Sequence, residues 1–227
     1  MVRKTKQEAL ETRHRLLDAA ETLFHAQGVS HTSLQHIAVA AGVTRGAVYW
    51  HFKNKAELFG AMMDRAVLPL EATPPDSACL REPGLAALRW GLLHVFYLVA
   101  QCERTRRVFE IALQKVEFSG EMQDLQQRKI ANYRIWRERH QANLDAAVRQ
   151  GCLPAHLNTR QAALSLVALS HGLLQQWLLE PEAFDLMPTA EAALDGFVNG
   201  LVHQAAPLLP PLSPLERARL AGADPVN

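Results

Sequence analysis

No feature restricts the fold of this chain more than the run from Gly42 to Lys55, GVTRGAVYWHFKNK. Gly42 tolerates the positive φ of a tight turn, and Thr44 can accept from the first free N–H groups of a new helix. Along that helix Val48 and Phe52 fall on one face at i, i+4 and point inward, which leaves Arg45, Tyr49, Trp50 and His51 on the outer side. Two large aromatic rings, an arginine and a histidine facing outward on so short a helix make sense only if something docks there. Double-stranded DNA fits. An α-helix enters the major groove, arginine pairs two ways with guanine, an apolar ring rests on a thymine methyl, and Tyr or His hydrogen-bonds phosphate. The segment therefore reads as the second helix of a helix-turn-helix.

The flanking residues support that placement. A first helix is expected from about Thr5 to Gln27, with Leu16, Ala20, Leu23 and Phe24 turned inward and Gly28 just past its end. Ahead of it, Arg3, Lys4 and Lys6 form a basic terminus, either an arm that reaches DNA or a solvated end. The spacing Thr32-x-x-Gln35 fits a capping box that opens a second helix with Leu34, Ile37, Ala38 and Ala41 inside. Thr32 or Ser33 can cap that helix, contact a phosphate at its N-terminus, or do both. Asn54 caps a further helix that runs to roughly Val67, with Glu57 as its acidic third residue, and Pro69 ends it.

Residues 69 to 84 are rich in proline and polar side chains and read as a loop. Five more helices follow, at Leu85 to Ala100, Glu103 to about Phe118, Glu121 to Gln150, Asn158 to Leu179 and about Pro188 to His203. No alternating run long enough for a strand occurs, so the class is all-α. The expected organisation is a three-helix DNA-binding domain over residues 1–58, a larger helical ligand-binding and dimerisation domain over 59–205, and a proline-rich tail over 206–227. Within the tail only Leu215 to Ala221 has a short helical pattern. The Asn158 to Leu179 segment is apolar around almost its whole circumference and so has to be covered on both sides. Core on one side and a second subunit on the other meets that need, with the stripe of Leu194, Phe197, Val198, Leu201 and Val202 completing a four-helix homodimer contact.

With 48% hydrophobic residues in 227, the chain is too long for a helix-turn-helix alone and can hold a large core or two small ones. The net charge of +1 is uneven: residues 1–58 carry 8 Lys+Arg against 5 Asp+Glu, a net of +3, and the remainder, 16 against 18, nets −2. The positive excess sits where DNA would be. Cys79, Cys102 and Cys152 are far apart and form no C-x-x-C pair, which suits free thiols in a reducing compartment. The first residues resemble no signal peptide, and apolar runs are broken by polar residues before about 18, so a cytoplasmic protein with no membrane partner is expected. Catalytic patterns, phosphate loops and dinucleotide turns are missing, and the ten histidines are scattered. No enzyme activity, cofactor or metal is expected.

Residues 29–60, VSHTSLQHIAVAAGVTRGAVYWHFKNKAELFG, resemble the DNA-binding domain of the TetR family of transcriptional repressors. MVRKTKQEALETR, GVTRGAVYWHFKNKAEL and RTRRVFEIALQKVEFSGEM together resemble its AcrR/TtgR branch, which represses multidrug efflux operons. The resemblance implies a homodimer on a palindromic operator, released when a hydrophobic small molecule binds the C-terminal domain. Thr44, Arg45 and Trp50 would then touch bases, with Gly46 permitting close approach, while Tyr49, His51, Lys55 and Thr32 or Ser33 would hold phosphates. It also implies that Phe109, Leu113, Ser170, His171 and Gln175 line the ligand cavity. Phe109 and Leu113 stand where relatives carry polar groups, which points to a more apolar pocket here. Met62, Met63 and Ala66 on the connecting helix and Trp136 on the long helix can add to it or serve core packing instead.

Overall fold

Apolar residues recur every three or four positions through nearly every segment, and those segments are helices in the computed structural model, which describes residues 6–67, 82–117, 123–202 and 212–220. Among the described residues there are ten helices: α1 (Lys6–Gln27), α2 (Leu34–Ala40), α3 (Arg45–His51), α4 (Lys55–Val67), α5 (Leu85–Gln101), α6 (Glu103–Gln114), α7 (Gln123–Arg149), α8 (Thr159–Leu179), α9 (Leu186–Val202) and α10 (Pro214–Leu220). The basic residues Arg3 and Lys4, residues 68–81 with Cys79, where a loop is expected, and most of the tail lie outside the described residues. Cys102 and Cys152 are free thiols.

Local chemistry explains most boundaries. Gly28 and Gly42 adopt φ of +81° and +65° just past α1 and α2, a conformation that costs glycine no steric penalty. Asn54 Oδ1 accepts from Glu57 N at 2.8 Å at the start of α4. Three boundaries differ from expectation. Ser33, not Thr32, caps α2, and its box partner is His36: Ser33 Oγ accepts from His36 N, and Ser33 N donates to His36 Nδ1. The helix α6 stops at Gln114 because the chain beyond it is tied to the α1–α2 connection. There the Lys115 carbonyl accepts from Val29 N at 3.1 Å and the Lys115 ammonium donates to the His25 carbonyl. Finally, α9 starts two residues before Pro188, which sits in the first turn where a missing N–H breaks no intrahelical bond.

Three apolar clusters result. The first joins Leu16, Leu17, Ala20 and Phe24 of α1, Ile37 and Ala38 of α2, Val48 and Phe52 around α3, and Leu58, Met62 and Ala66 of α4. It is not closed by these helices alone, since Val108 and Ile111 of α6 and Leu125 of α7 belong to it. The second cluster packs Leu88 and Leu92 of α5 with Leu144 of α7, Leu166 of α8 and Leu194 of α9. The third packs Phe96 and Val99 of α5 with Phe109 of α6, Leu174 and Trp177 of α8 and Leu186 of α9. α6 meets α5 at an angle of 102°, so it crosses from the second half of the molecule onto the first. With its 21 residues α8 is long and apolar enough by composition to cross a membrane, but one of its faces lies in these clusters.

An ion-pair cluster clamps the same crossing. Glu21 of α1 is buried and meets Arg65 of α4 at 2.9 Å, Arg107 of α6 at 3.3 Å and Arg104 of α6 at 3.6 Å. Asp18, one turn earlier, pairs with Arg65 at 2.7 Å and Arg104 at 3.2 Å. A buried carboxylate surrounded by three guanidinium groups is satisfied only while α1, α4 and α6 keep this arrangement.

Candidate nucleic-acid interface and effector cavity

On α3 the buried side is Val48, followed by Phe52 just past the helix, and both are fully enclosed. Thr44 caps the helix, its hydroxyl accepting from Ala47 N at 3.2 Å. Trp50 is 73% exposed and Tyr49 47% exposed, a large apolar area left facing outward. Arg45 folds along the same face: its Nη2 donates to Tyr49 Oη at 3.3 Å, and its guanidinium lies 5.5 Å from the Tyr49 ring centroid. That hydrogen bond pushes the Arg45 pKa further up, so the side chain is a preset cation. The half-buried His51 stands edge-on to Trp50, with centroids 4.5 Å apart. A Cβ on Gly46 would meet only Thr44 Oγ1, at 3.9 Å, so packing within the chain does not demand the glycine.

Two residues expected at phosphates are inside instead. Thr32 is buried, its hydroxyl donating to the Gly28 carbonyl at 2.8 Å and accepting from Gln27 Nε2 at 3.1 Å. Lys55 is buried too, with Nζ donating to the carbonyls of Val29 at 2.9 Å and Thr32 at 3.0 Å. Those carbonyls close the connection between α1 and α2, where the Val29 carbonyl also accepts from Thr32 N at 3.3 Å. Ser33 is exposed at the start of α2, though its hydroxyl already accepts from the backbone.

The second site is a cavity of about 170 Å³ between α4, α5, α6, α7 and α8, well above the roughly 10–15 Å³ that one water needs. Phe59, Gly60 and Met63 of α4, Val95 and Phe96 of α5, and Phe109 and Leu113 of α6 form apolar walls. Trp136 of α7 and Ser170 and His171 of α8 also line it. Three expected residues do not. Met62 and Ala66 belong to the first apolar cluster, and Gln175 is exposed, one turn beyond His171.

Sequence reading missed the polar wall. Lys129, Tyr133, Trp136 and His140 recur at intervals of four, three and four along α7 and so share one face, which lines the cavity. A charged helix conceals such a face, because the same residue types lie on its solvated side. Burial lowers the Lys129 pKa and raises that of Tyr133. Burial, then the nearby Arg139 charge, brings His140 down to about 4, and burial, then Lys129, lowers His171. Both imidazoles are therefore neutral near pH 7. Neither His140 Nδ1 nor His171 Nε2 has a hydrogen-bond partner among the described residues. Tyr133 stands edge-on to Trp136 at 6.2 Å and to His171 at 5.6 Å, which stiffens the wall.

Residues 16–62 match the tetR family of bacterial regulatory proteins, and residues 83–203 match the C-terminal region of MAATS-type transcriptional repressors. The regulator TtgR of Pseudomonas putida is 40% identical over 197 residues, covering 86% of this chain and 93% of the relative. The chain belongs to the TetR family. It is thus a ligand-responsive transcriptional repressor and not an enzyme. Among solved structures, this TetR-family chain is similar to NalD, the secondary repressor of the MexAB-OprM multidrug efflux pump in Pseudomonas aeruginosa. That match has 38% identity and a TM-score of 0.73, over 86% of this chain and 99% of NalD. It is also similar to SmeT, repressor of the Stenotrophomonas maltophilia pump SmeDEF, in complex with triclosan. There the identity is 34% and the TM-score 0.74, over 89% of this chain and 99% of SmeT.

Proposed function

We propose that this repressor binds a twofold operator of a multidrug efflux operon as a cytoplasmic homodimer, one α3 per subunit in the major groove, and leaves it when a hydrophobic molecule fills the cavity. One observation carries the coupling: α4 is shared. Leu58, Phe59, Met62 and Ala66 belong to the core that positions α3, and Phe59, with Gly60 and Met63, also forms a wall of the cavity. A ligand that moves that wall moves the reading domain with it, by no more than its preference between the two states. Relatives that repress efflux pumps, NalD and SmeT, support the choice of operon.

Base contacts are assigned to Thr44, Arg45 and Trp50, and phosphate contacts to Tyr49, His51 and Ser33. The dimer is assigned to the outer sides of α8 and α9. There Leu164 and Leu179 are 51% and 65% exposed, and added Cβ atoms on Gly172, Gly196 and Gly200 would meet nothing within 4 Å. Fluorescence anisotropy on inverted repeats from the promoter of its own gene, with and without structurally unrelated lipophilic drugs, tests the proposal. Binding in low salt and release by several drugs is expected. Release by one compound alone would instead indicate a metabolic operon with a single inducer, and absence of binding would refute the operator assignment.

A further inference from the structure

Arg128 of α7 reaches across to α4 and settles at a point where that helix has no side chain. Its guanidinium lies against Gly60, a buried residue, and a Cβ added there would collide with Nη1 and stand 3.1 Å from Cζ. From that seat Nη2 donates to Oδ1 of Asp64, one turn further along the same face of α4. Gly60 and Arg128 both line the cavity, whereas Asp64 does not. The arginine thus rests in a notch of the cavity wall that only glycine leaves open, and a carboxylate outside the cavity anchors it.

Position matters here more than strength. The side chains of Arg128 and Asp64 are 43% and 52% exposed, and an ion pair so open to water adds little to stability. A molecule that fills the cavity as far as Gly60 needs the space that the seated guanidinium occupies, so each excludes the other. Once unseated, Arg128 gives up Asp64, and α4 loses this tie to α7. Other contacts bind α4 to the reading domain: Leu58 and Met62 pack in the core that carries α3, and Arg65 pairs with Asp18 and Glu21 of α1. Freed at Gly60, α4 can shift against α7 while those contacts persist.

We propose that Arg128, seated on Gly60 and anchored by Asp64, holds α4 in the operator-binding position, and that an effector releases the operator by taking that seat. The proposal rests on the effector-cavity reading above and names the residue through which filling of the cavity reaches α4.

Asp64→Asn is the cleanest variant, since it keeps the shape of a side chain that lines no part of the cavity and is assigned no DNA contact. Operator anisotropy and fluorescence titration with N-phenyl-1-naphthylamine, a neutral lipophilic dye, are read on the same full-length proteins. In the parent the dye should bind and weaken the hold on the operator. Asp64→Asn should lower operator affinity by about three- to fivefold and tighten dye binding by a similar factor, because coupling between two ligands is reciprocal. Gly60→Ala should also lower operator affinity, and it is tolerated because every atom near the new Cβ belongs to the movable end of Arg128. Joining the two substitutions should add nothing, since both undo one seat. A merely structural role for the pair would weaken operator binding without tightening the dye. That result, or operator affinity equal to or above the parent's, or additive losses in the double variant, would overturn the latch and leave the effector cavity standing. Failure of the dye to bind the parent, or to weaken its hold on the operator, would overturn the cavity reading and this proposal together.

Discussion

At the scale of single residues, the proposed interface assigns most of its sequence reading to Arg45, because it alone on the exposed face of α3 offers the fork of donors that guanine accepts. Arg45→Ala is expected to cost roughly 1–3 kcal/mol of operator affinity and to relax preference at one base position. Anisotropy on a set of single-base operator variants checks this, and an equal loss on every variant would make Arg45 a phosphate contact. Lys55 works differently, because its ammonium ends on two buried carbonyls and not at a surface. Lys55→Met should lower stability by about 1–3 kcal/mol because two buried carbonyls lose a charged donor, read as a drop in urea midpoint. His140 links the cavity to pH. Its folded pKa of about 4 lies below the ordinary imidazole value of roughly 6.5, so between those limits the unfolded chain binds more protons. Stability then falls as pH drops from about 6.5 towards 4, by roughly 2 kcal/mol at pH 5, and is flat above that window as far as this group is concerned. Urea midpoints at pH 7 and pH 5 should show a smaller difference in His140→Phe than in the parent.

At the scale of elements, the proposed coupling runs through α4 and α6. α4 serves both the reading core and the cavity, and its Phe59 belongs to each. α6 does the same, with Val108 and Ile111 in the first cluster and Phe109 in the third. The arginines of α6 then reach back to Glu21 on α1, so this crossing joins three helices through one carboxylate. Removing it with Glu21→Ala is expected to destabilise the fold by about 3 kcal/mol, since three guanidinium groups lose a buried partner. Chemical denaturation measures the loss, and Glu21→Asp should recover only part of it because the shorter side chain reaches fewer of the arginines. Helix spacing alone indicated that these elements exist and which of their residues point inward. It could not indicate which inward residues reach the cavity: Met62 and Met63 are neighbours of the same type, yet Met62 is enclosed in the reading core while Met63, packed against that core, also lines the cavity.

At the scale of the whole molecule, the outer side of α8 and α9 is the surface that asks for a partner. Small residues there, Ala168 and Gly172 on α8 and Gly196 and Gly200 on α9, allow close approach of a second copy, and Leu164 and Leu179 give it apolar area. Placing a charge on this side with Ala168→Glu together with Gly196→Glu should shift the protein towards monomer in analytical ultracentrifugation and weaken operator binding, since the two reading helices would no longer be held at one spacing. An unchanged dimer would move the interface elsewhere. The all-helical class, the turn at Gly42, the inward Val48 and Phe52 and the outward Arg45, Tyr49 and Trp50 were all determined by sequence, because period and turn chemistry are local properties that need only a few adjacent residues. The burial of Thr32 and Lys55, the sharing of α4 and α6 between reading core and cavity, and the polar wall of the cavity were decided by tertiary structure alone. Each depends on groups far apart in the chain meeting in space, and a side chain's chemistry does not reveal whether water or a distant carbonyl will be there to satisfy it.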